Sequence, residues 1–322
     1  MPPIIFFIFN RPAETSRVFE RIREARPEKL LIIADGPRSS RPGEAALCRH
    51  TREILDRVDW PCEVLTNFAD TNLGCGRRVA SGLDWAFEQV EEAIILEDDC
   101  LPDPSFFPYC AELLERYRND ERIMMISGNN FQDGASRTPD SYYFSRFAHC
   151  WGWATWRQAW RLFDFQMRDW TQRRRTRWLK SVAQNLVLER YWARCFDDVT
   201  SGKIDSWGYK WMYCVLIHNG FSIAPDVNLV TNIGFGVKAT HTLIADERYV
   251  VPSCAMKFPL RHPVAIDVCK QADEFEKVYL RPQFGFTLLP GLRPLFELTR
   301  SFLKGTAFWA WLRAVMVRLS AA

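Results

Sequence analysis

Short apolar runs of strand length recur at residues 4–9, 30–34, 62–65, 93–96 and 123–126, separated by stretches with helical period. Strands this apolar are covered on both faces, so the spacing predicts an α/β fold: a mostly parallel sheet flanked by helices. Leu47, Ile54, Leu55 and Val58 form one expected helix face, and Val79, Leu83, Phe87 and Val90 form another. Both should pack on the sheet.

With 48% apolar and 14% aromatic residues, the 322-residue chain has enough material for a large core. Its 42 Lys and Arg against 39 Asp and Glu give a net charge of +3, which excludes a strongly basic nucleic-acid binder. The ten cysteines contain no CxxC pair, which speaks against zinc clips and a disulfide framework and for a reducing compartment, expected to be the cytoplasm. The first apolar run is cut by Asn10-Arg11-Pro12, too early for a signal peptide or a transmembrane span.

Nine of the thirteen tryptophans fall between Trp151 and Trp211, and a polar stretch at 136–142 precedes them. The expected organisation is a first half over about 1–138, an aromatic-rich second half over about 139–255, and a partly helical C-terminal extension over 256–322. Within that extension, residues 298–319 mix Phe302-Leu303, Phe308-Trp309 and Trp311-Leu312 with scattered Arg and Lys. Peripheral contact with a membrane's cytoplasmic face is one expectation for this tail, and packing against the protein or a second copy is another.

Ligands in open α/β sheets bind at the carboxyl ends of the strands, where this sequence places Asn10-Arg11-Pro12, Asp35-Gly36, Asn72-Leu73-Gly74 and Glu97-Asp98-Asp99. Three adjacent acids at the end of a buried strand repel one another, and a hard divalent cation, Mg2+ or Mn2+, is their natural partner. Arg11 suits a phosphate clamp or is a surface residue before a proline, Asp35 could accept hydrogen bonds from a base or ribose or merely start a turn with Gly36, and Arg78 lies in a glycine- and arginine-rich helix start suited to an anion. No G-x-G-x-x-G, P-loop or G-x-S-x-G pattern occurs, so dinucleotide oxidoreductases, P-loop NTPases and nucleophile-elbow hydrolases lose support. The clusters His149-Cys150-Trp151-Gly152-Trp153 and Asp205-Ser206-Trp207-Gly208-Tyr209-Lys210-Trp211 pair rings with polar groups, as sugar-binding clefts do. His149, Trp151, Trp153 and Trp207 are therefore the candidate acceptor contacts, and His241 is a candidate metal ligand.

The ordered set Asn10-Arg11, Asp35-Gly36 and Ile94-Ile95-Leu96-Glu97-Asp98-Asp99, followed by Pro104-Ser105-Phe106-Phe107, resembles the N-acetylglucosaminyltransferase I type of GT-A glycosyltransferase. It also resembles bacterial family 2-like sugar transferases, over about residues 3–242. The resemblance implies a Rossmann-like GT-A domain that inverts the anomeric carbon while moving a hexosyl or N-acetylhexosaminyl group. The donor would be a nucleotide-sugar, UDP-linked by preference, and the acceptor a glycan or lipid-linked glycan. Arg11 and Asp35 would hold the nucleotide, Glu97 and Asp98 the ribose or sugar, and Asp99 the metal. The family's base is an aspartate between two tryptophans, but the matching Trp207–Trp211 stretch here has no acid. Asp205 is then the first candidate base, with Asp197 and Asp198 next. A donor-binding protein without turnover and a metal-dependent nucleotidyltransferase are the competing expectations.

Overall fold

The computed structural model describes residues 1–176, 178–183, 186–234 and 251–276. The chain opens with strand β1 (Ile4–Ile8), helix α1 (Pro12–Ala25), β2 (Lys29–Ala34), α2 (Glu44–Arg52), a 3-10 turn (Glu53–Arg57), β3 (Glu63–Phe68), α3 (Cys75–Gln89) and β4 (Glu92–Glu97). There follow β5 (Cys100–Pro102), α4 (Phe106–Tyr117), β6 (Ile123–Ser127), β7 (Tyr142–Ser145) and β8 (Trp153–Trp156). Helices α5 (Arg157–Trp160), α6 (Trp170–Arg175), α7 (Trp178–Ala183), α8 (Leu186–Thr200) and α9 (Trp207–Ile217) lead to β9 (Phe221–Pro225) and β10 (Val230–Asn232). Residues 270–276 are also helical.

Eight strands form one sheet in the order β3-β2-β1-β4-β8-β6-β9-β7, and β5 pairs with β10 in a separate ribbon. The first four strands are parallel. Beyond them β8 runs antiparallel to both β4 and β6, β9 is parallel to β6, and β7 closes the edge antiparallel. Strands from either side of residue 138 thus interleave in one sheet.

The apolar runs exist because each strand feeds two cores. Ile4, Phe6 and Ile8 of β1 pack with Val18, Phe19 and Ile22 of α1, whereas Ile5 and Phe7 face Val79, Leu83 and Phe87 of α3. The same two-residue alternation divides Leu30 and Ile32 from Leu31 and Ile33, and Ile94 and Leu96 from Ala93 and Ile95. A third, aromatic core joins α6 to α9 through Trp170, Trp192, Phe196 and Tyr213.

Two expectations are corrected. The third strand runs 63–68 rather than 62–65, and as a sheet edge it is only half-buried. The helix expected through Val58 breaks after Arg52 into the 3-10 turn, and Val58 is extended. Its inward face carries Cys48, Thr51 and Ile54, while Leu47 is 44% exposed. The 3-10 turn advances about 120° per residue rather than 100°, so the stripe drawn through Leu47 loses its phase. His241 and the tail at 298–319 lie outside the described residues. Among the described residues no helix is long and apolar enough to cross a membrane.

The corrected face makes a direct prediction. Leu47→Ala should change the unfolding free energy by less than about 0.5 kcal/mol, whereas Ile54→Ala should cost about 2–5 kcal/mol, both read by urea denaturation.

Candidate active site

Strands β2, β1 and β4 lie side by side and parallel, so their carboxyl ends present Asp35, Asn10-Arg11 and Glu97-Asp98-Asp99 along one rim. The register Phe7 to Glu97 sets the acidic triplet against the end of β1. Asp98 Oδ2 accepts the Phe9 amide at 3.1 Å, and Arg11 Nη1 donates to Asp99 Oδ2 at 2.7 Å and stands 3.8 Å from Asp98 Oδ1. The guanidinium expected to clamp phosphate therefore bridges two carboxylates at the rim.

Beyond Asp99 the chain enters the β5–β10 ribbon, and Ile233 donates its amide to the Asp99 carbonyl at 2.8 Å. This return places Gly234 over the triplet. A side-chain carbon there would collide with Asp99 Oδ2 and Arg11 Nη1, so only a glycine lets the chain pass this close to both groups.

Burial, reinforced by the charge on Asp99, pushes the Glu97 carboxyl up to about 8 and that of Asp98 up to about 7. The Trp207 indole N–H donates to Glu97 and partly opposes this rise. Three carboxylates with Arg11 beside them leave a deficit of positive charge that a divalent cation would fill. The donor set fits Mg2+ or Mn2+, which take one or two protein carboxylates and complete their shell with water and substrate phosphates. Among the described residues no three His, Cys, Asp or Glu side chains converge as a metal cage.

Asp35 does not face the rim as a free acceptor. Its Oδ1 accepts the amides of Gly36 at 2.8 Å and Leu73 at 2.9 Å, and its Oδ2 accepts Asn72 Nδ2 at 2.9 Å and the Gly74 amide at 3.2 Å. A carboxylate offers about four acceptor positions, and the chain fills them. Asp35 therefore starts the turn at Gly36 and builds the 72–74 loop. Arg78 is likewise buried, donating to the carbonyls of Ala34 and Asn67 and to Asn67 Oδ1. It ties together the ends of β2 and β3, the physical reason it is not placed as a phosphate ligand.

Asp205 reaches the same loop from the aromatic half. Its Oδ1 accepts the Gly76 amide at 3.0 Å in the first turn of α3, and any side chain on Gly76 would strike that carboxylate. The expected base is thus seated as a helix cap, favoured by the positive end of the helix dipole. Asp197 accepts the Trp170 indole N–H at 2.9 Å and Asp198 accepts Lys203 Nζ at 3.0 Å, both in the aromatic lobe.

The aromatic candidates separate. Trp153 is fully buried between Trp207, at 5.4 Å, and Trp211, at 5.6 Å, so it is core and cannot stack on a sugar. Trp207 is also core, with its N–H on Glu97. Trp151 is half-buried with its ring 5.6 Å from Phe131. His149 is half-buried too, and its Nε2 lies 2.7 Å from Glu276 Oε2. Neither Gly234 nor Glu276 carries a local sequence signal, because each gains its meaning from a partner more than a hundred residues away.

No family model and no curated protein matches this chain. Among solved structures, an active-site mutant of LgtC, Q189E, overlays with 11% identity over 85% of this chain and 94% of its own, at a TM-score of 0.40. The mannosyltransferase PcManGT from Pyrobaculum calidifontis, solved with GDP-Man and Mn2+, overlays with 13% identity over 68% and 74%, at 0.35. A cytidylyltransferase from Leptospira borgpetersenii overlays with 14% identity over 51% and 64%, at 0.33. The match spans 34% of the S. aureus TarS 1–349 chain, at a TM-score of 0.29. Similarity at this level speaks to neither substrate nor mechanism.

If Asp205 caps α3, Asp205→Ala should destabilise the protein by about 1 kcal/mol and Asp205→Asn by only a few tenths. Urea denaturation measures the cost, and faster hydrogen exchange at the Gly76 amide in the alanine variant alone would locate it.

Proposed function

We propose that this chain is a metal-assisted inverting glycosyltransferase that moves a hexosyl or N-acetylhexosaminyl group from a nucleoside-diphosphate sugar, UDP-linked by preference, to a hydroxyl of a glycan or lipid-linked glycan. The observation that carries this reading is the Glu97-Asp98-Asp99 triplet, held at the end of a buried parallel strand with Arg11 on Asp99 and Gly234 packed against both. Asp99 is the residue that would hold Mn2+ or Mg2+, with Asp98 beside it. Once bound, the cation supplies positive charge where the departing diphosphate gathers negative charge.

The remaining work falls to the chain. Arg11, beside Asp99, would add a second positive group for phosphate oxygens. Glu97, oriented by the Trp207 indole, is placed to accept a hydroxyl of the ribose or of the transferred sugar. Asp35 and Asp205 hold the 72–76 loop from opposite sides and so fix the start of α3 beside the rim. Trp151 offers a half-buried ring for an acceptor sugar.

A thermal-shift panel of UDP, GDP, dTDP and CMP, each with and without Mn2+, tests the reading. One nucleoside diphosphate at a hundred times its Kd should stabilise the protein by about 2.7 kcal/mol, in a Mn2+-dependent manner that Asp99→Ala removes. No shift with any nucleotide would overturn it. A product carrying the nucleotide rather than the sugar would point instead to nucleotidyl transfer.

A further inference from the structure

A transfer of this kind needs a group to take the proton of the attacking hydroxyl. The acid-free Trp207–Trp211 stretch does not supply one, and Asp205 is engaged at α3. A second arrangement near the rim has the features of a base. His149 Nε2 lies 2.7 Å from Glu276 Oε2, with the carboxylate side chain only 2% exposed and the imidazole 18% exposed. Gln132 Nε2 stands 3.3 Å from Glu276 Oε1. The orientation of that amide is fixed, because Gln132 Oε1 accepts Arg137 Nε at 3.2 Å. The Phe131 ring closes on the imidazole at 4.8 Å and 75°.

A buried carboxylate facing an imidazole nitrogen selects the tautomer with its proton on that nitrogen. Nε2–H then donates to Glu276, and Nδ1 carries the lone pair. Among the described residues Nδ1 has no partner.

The segment bearing this ring borders the acidic rim. Trp151 donates its amide to Asn129 Oδ1 at 3.1 Å, and Gly152 packs so tightly on Val230 of β10 that a side-chain carbon there would lie 2.7 Å from it. β10 is the strand paired with β5, immediately after Asp99. Cys150, next to His149, has its thiol pushed up by burial and then by the charges of Glu97 and Asp99, so its sulfur lies within their field.

We propose that His149, oriented by Glu276 and Gln132, is the general base of the transfer, a role that rests on the glycosyltransferase reading above. The acceptor O–H proton passes to Nδ1 as the oxygen bonds to the anomeric carbon. The bond from that carbon to the diphosphate oxygen breaks, and its electron pair leaves on the nucleoside diphosphate. The imidazolium so formed is paired with Glu276 and returns its proton to solvent. Glu276 and Gln132 touch no substrate and are positioning residues. On the helix that carries Glu276, Asp273 is occupied by Ser145 Oγ and the Arg146 amide, so Glu276 is the carboxylate of that helix that meets the ring.

The test uses the full chain with Mn2+ and three donors, UDP-glucose, UDP-N-acetylglucosamine and GDP-mannose, with water or octyl β-glucoside as nucleophile. His149→Gln keeps an N–H for Glu276 but has no titrating nitrogen. Its nucleotide-release kcat should fall by about 10²–10⁴, while the Mn2+-dependent nucleotide thermal shift stays as in the wild type. Glu276→Gln should lower kcat with the donor KM unchanged, and should cost nothing further in the His149→Gln background. Undiminished kcat in His149→Gln, or a Glu276→Gln loss that adds in full to that of His149→Gln, would overturn the assignment while leaving the transferase reading standing. A wild-type chain that binds no nucleotide would remove both, and the absence of a Mn2+-dependent shift identifies that case.

Discussion

Concentrated negative charge at the end of a buried strand is the constraint around which this molecule is arranged. Glu97 ends β4, which lies between β1 and β8, with Asp98 and Asp99 directly after it, and desolvation favours the protonated carboxyls of Glu97 and Asp98 over the charged ones. The structure answers with a main-chain amide from Phe9, the guanidinium of Arg11 and the indole of Trp207. The first two come from the loop between β1 and α1, the third from the start of α9. The strand order, the β1 loop and the start of α9 are thereby drawn to one place, and what they leave uncompensated is suited to a cation and the phosphates it carries.

The parts of this architecture legible in the sequence were those whose cause is local. Central strands are buried on both faces, so their apolar runs are unbroken and their positions read directly. At the edge, β3 loses half that cover and its boundaries drift accordingly. The acidic triplet was legible because its members are adjacent and follow a buried strand. By contrast, the residue types of Asp35 and Arg78 suggested ligand contacts, yet three of the four donors on Asp35 lie 37 to 39 positions away and the Ala34 and Asn67 acceptors of Arg78 lie 44 and 11 away. Nothing in a linear reading shows that those acceptors and donors are already satisfied.

The tryptophans teach the same lesson differently. Trp151 and Trp153 differ by two positions, but β8 draws the second into the sheet core while the first remains on the loop before it. His149 was marked by its company, whereas the carboxylate that orients it lies 127 residues later in the chain. A dyad of that separation exists only in the folded state. Its cost in chain entropy is borne by the ordering of the C-terminal segment, which also secures Ser145 and Arg146 through Asp273.

The placement of β8 between β4 and β6 also imposes an order on folding during synthesis. Ile94 pairs with Ala154, so one edge of β4 stays open until the ribosome has made the intervening chain, a delay of roughly 3–12 s at ordinary elongation rates. An open apolar edge is a template for pairing with another nascent chain. Here that edge is bounded by Glu91 and Glu92 on one side and by Glu97, Asp98 and Asp99 on the other. Acids flanking an apolar strand repel their counterparts on a second copy. The acids proposed to gather the ligand in the finished protein thus also guard the half-made sheet from its neighbours.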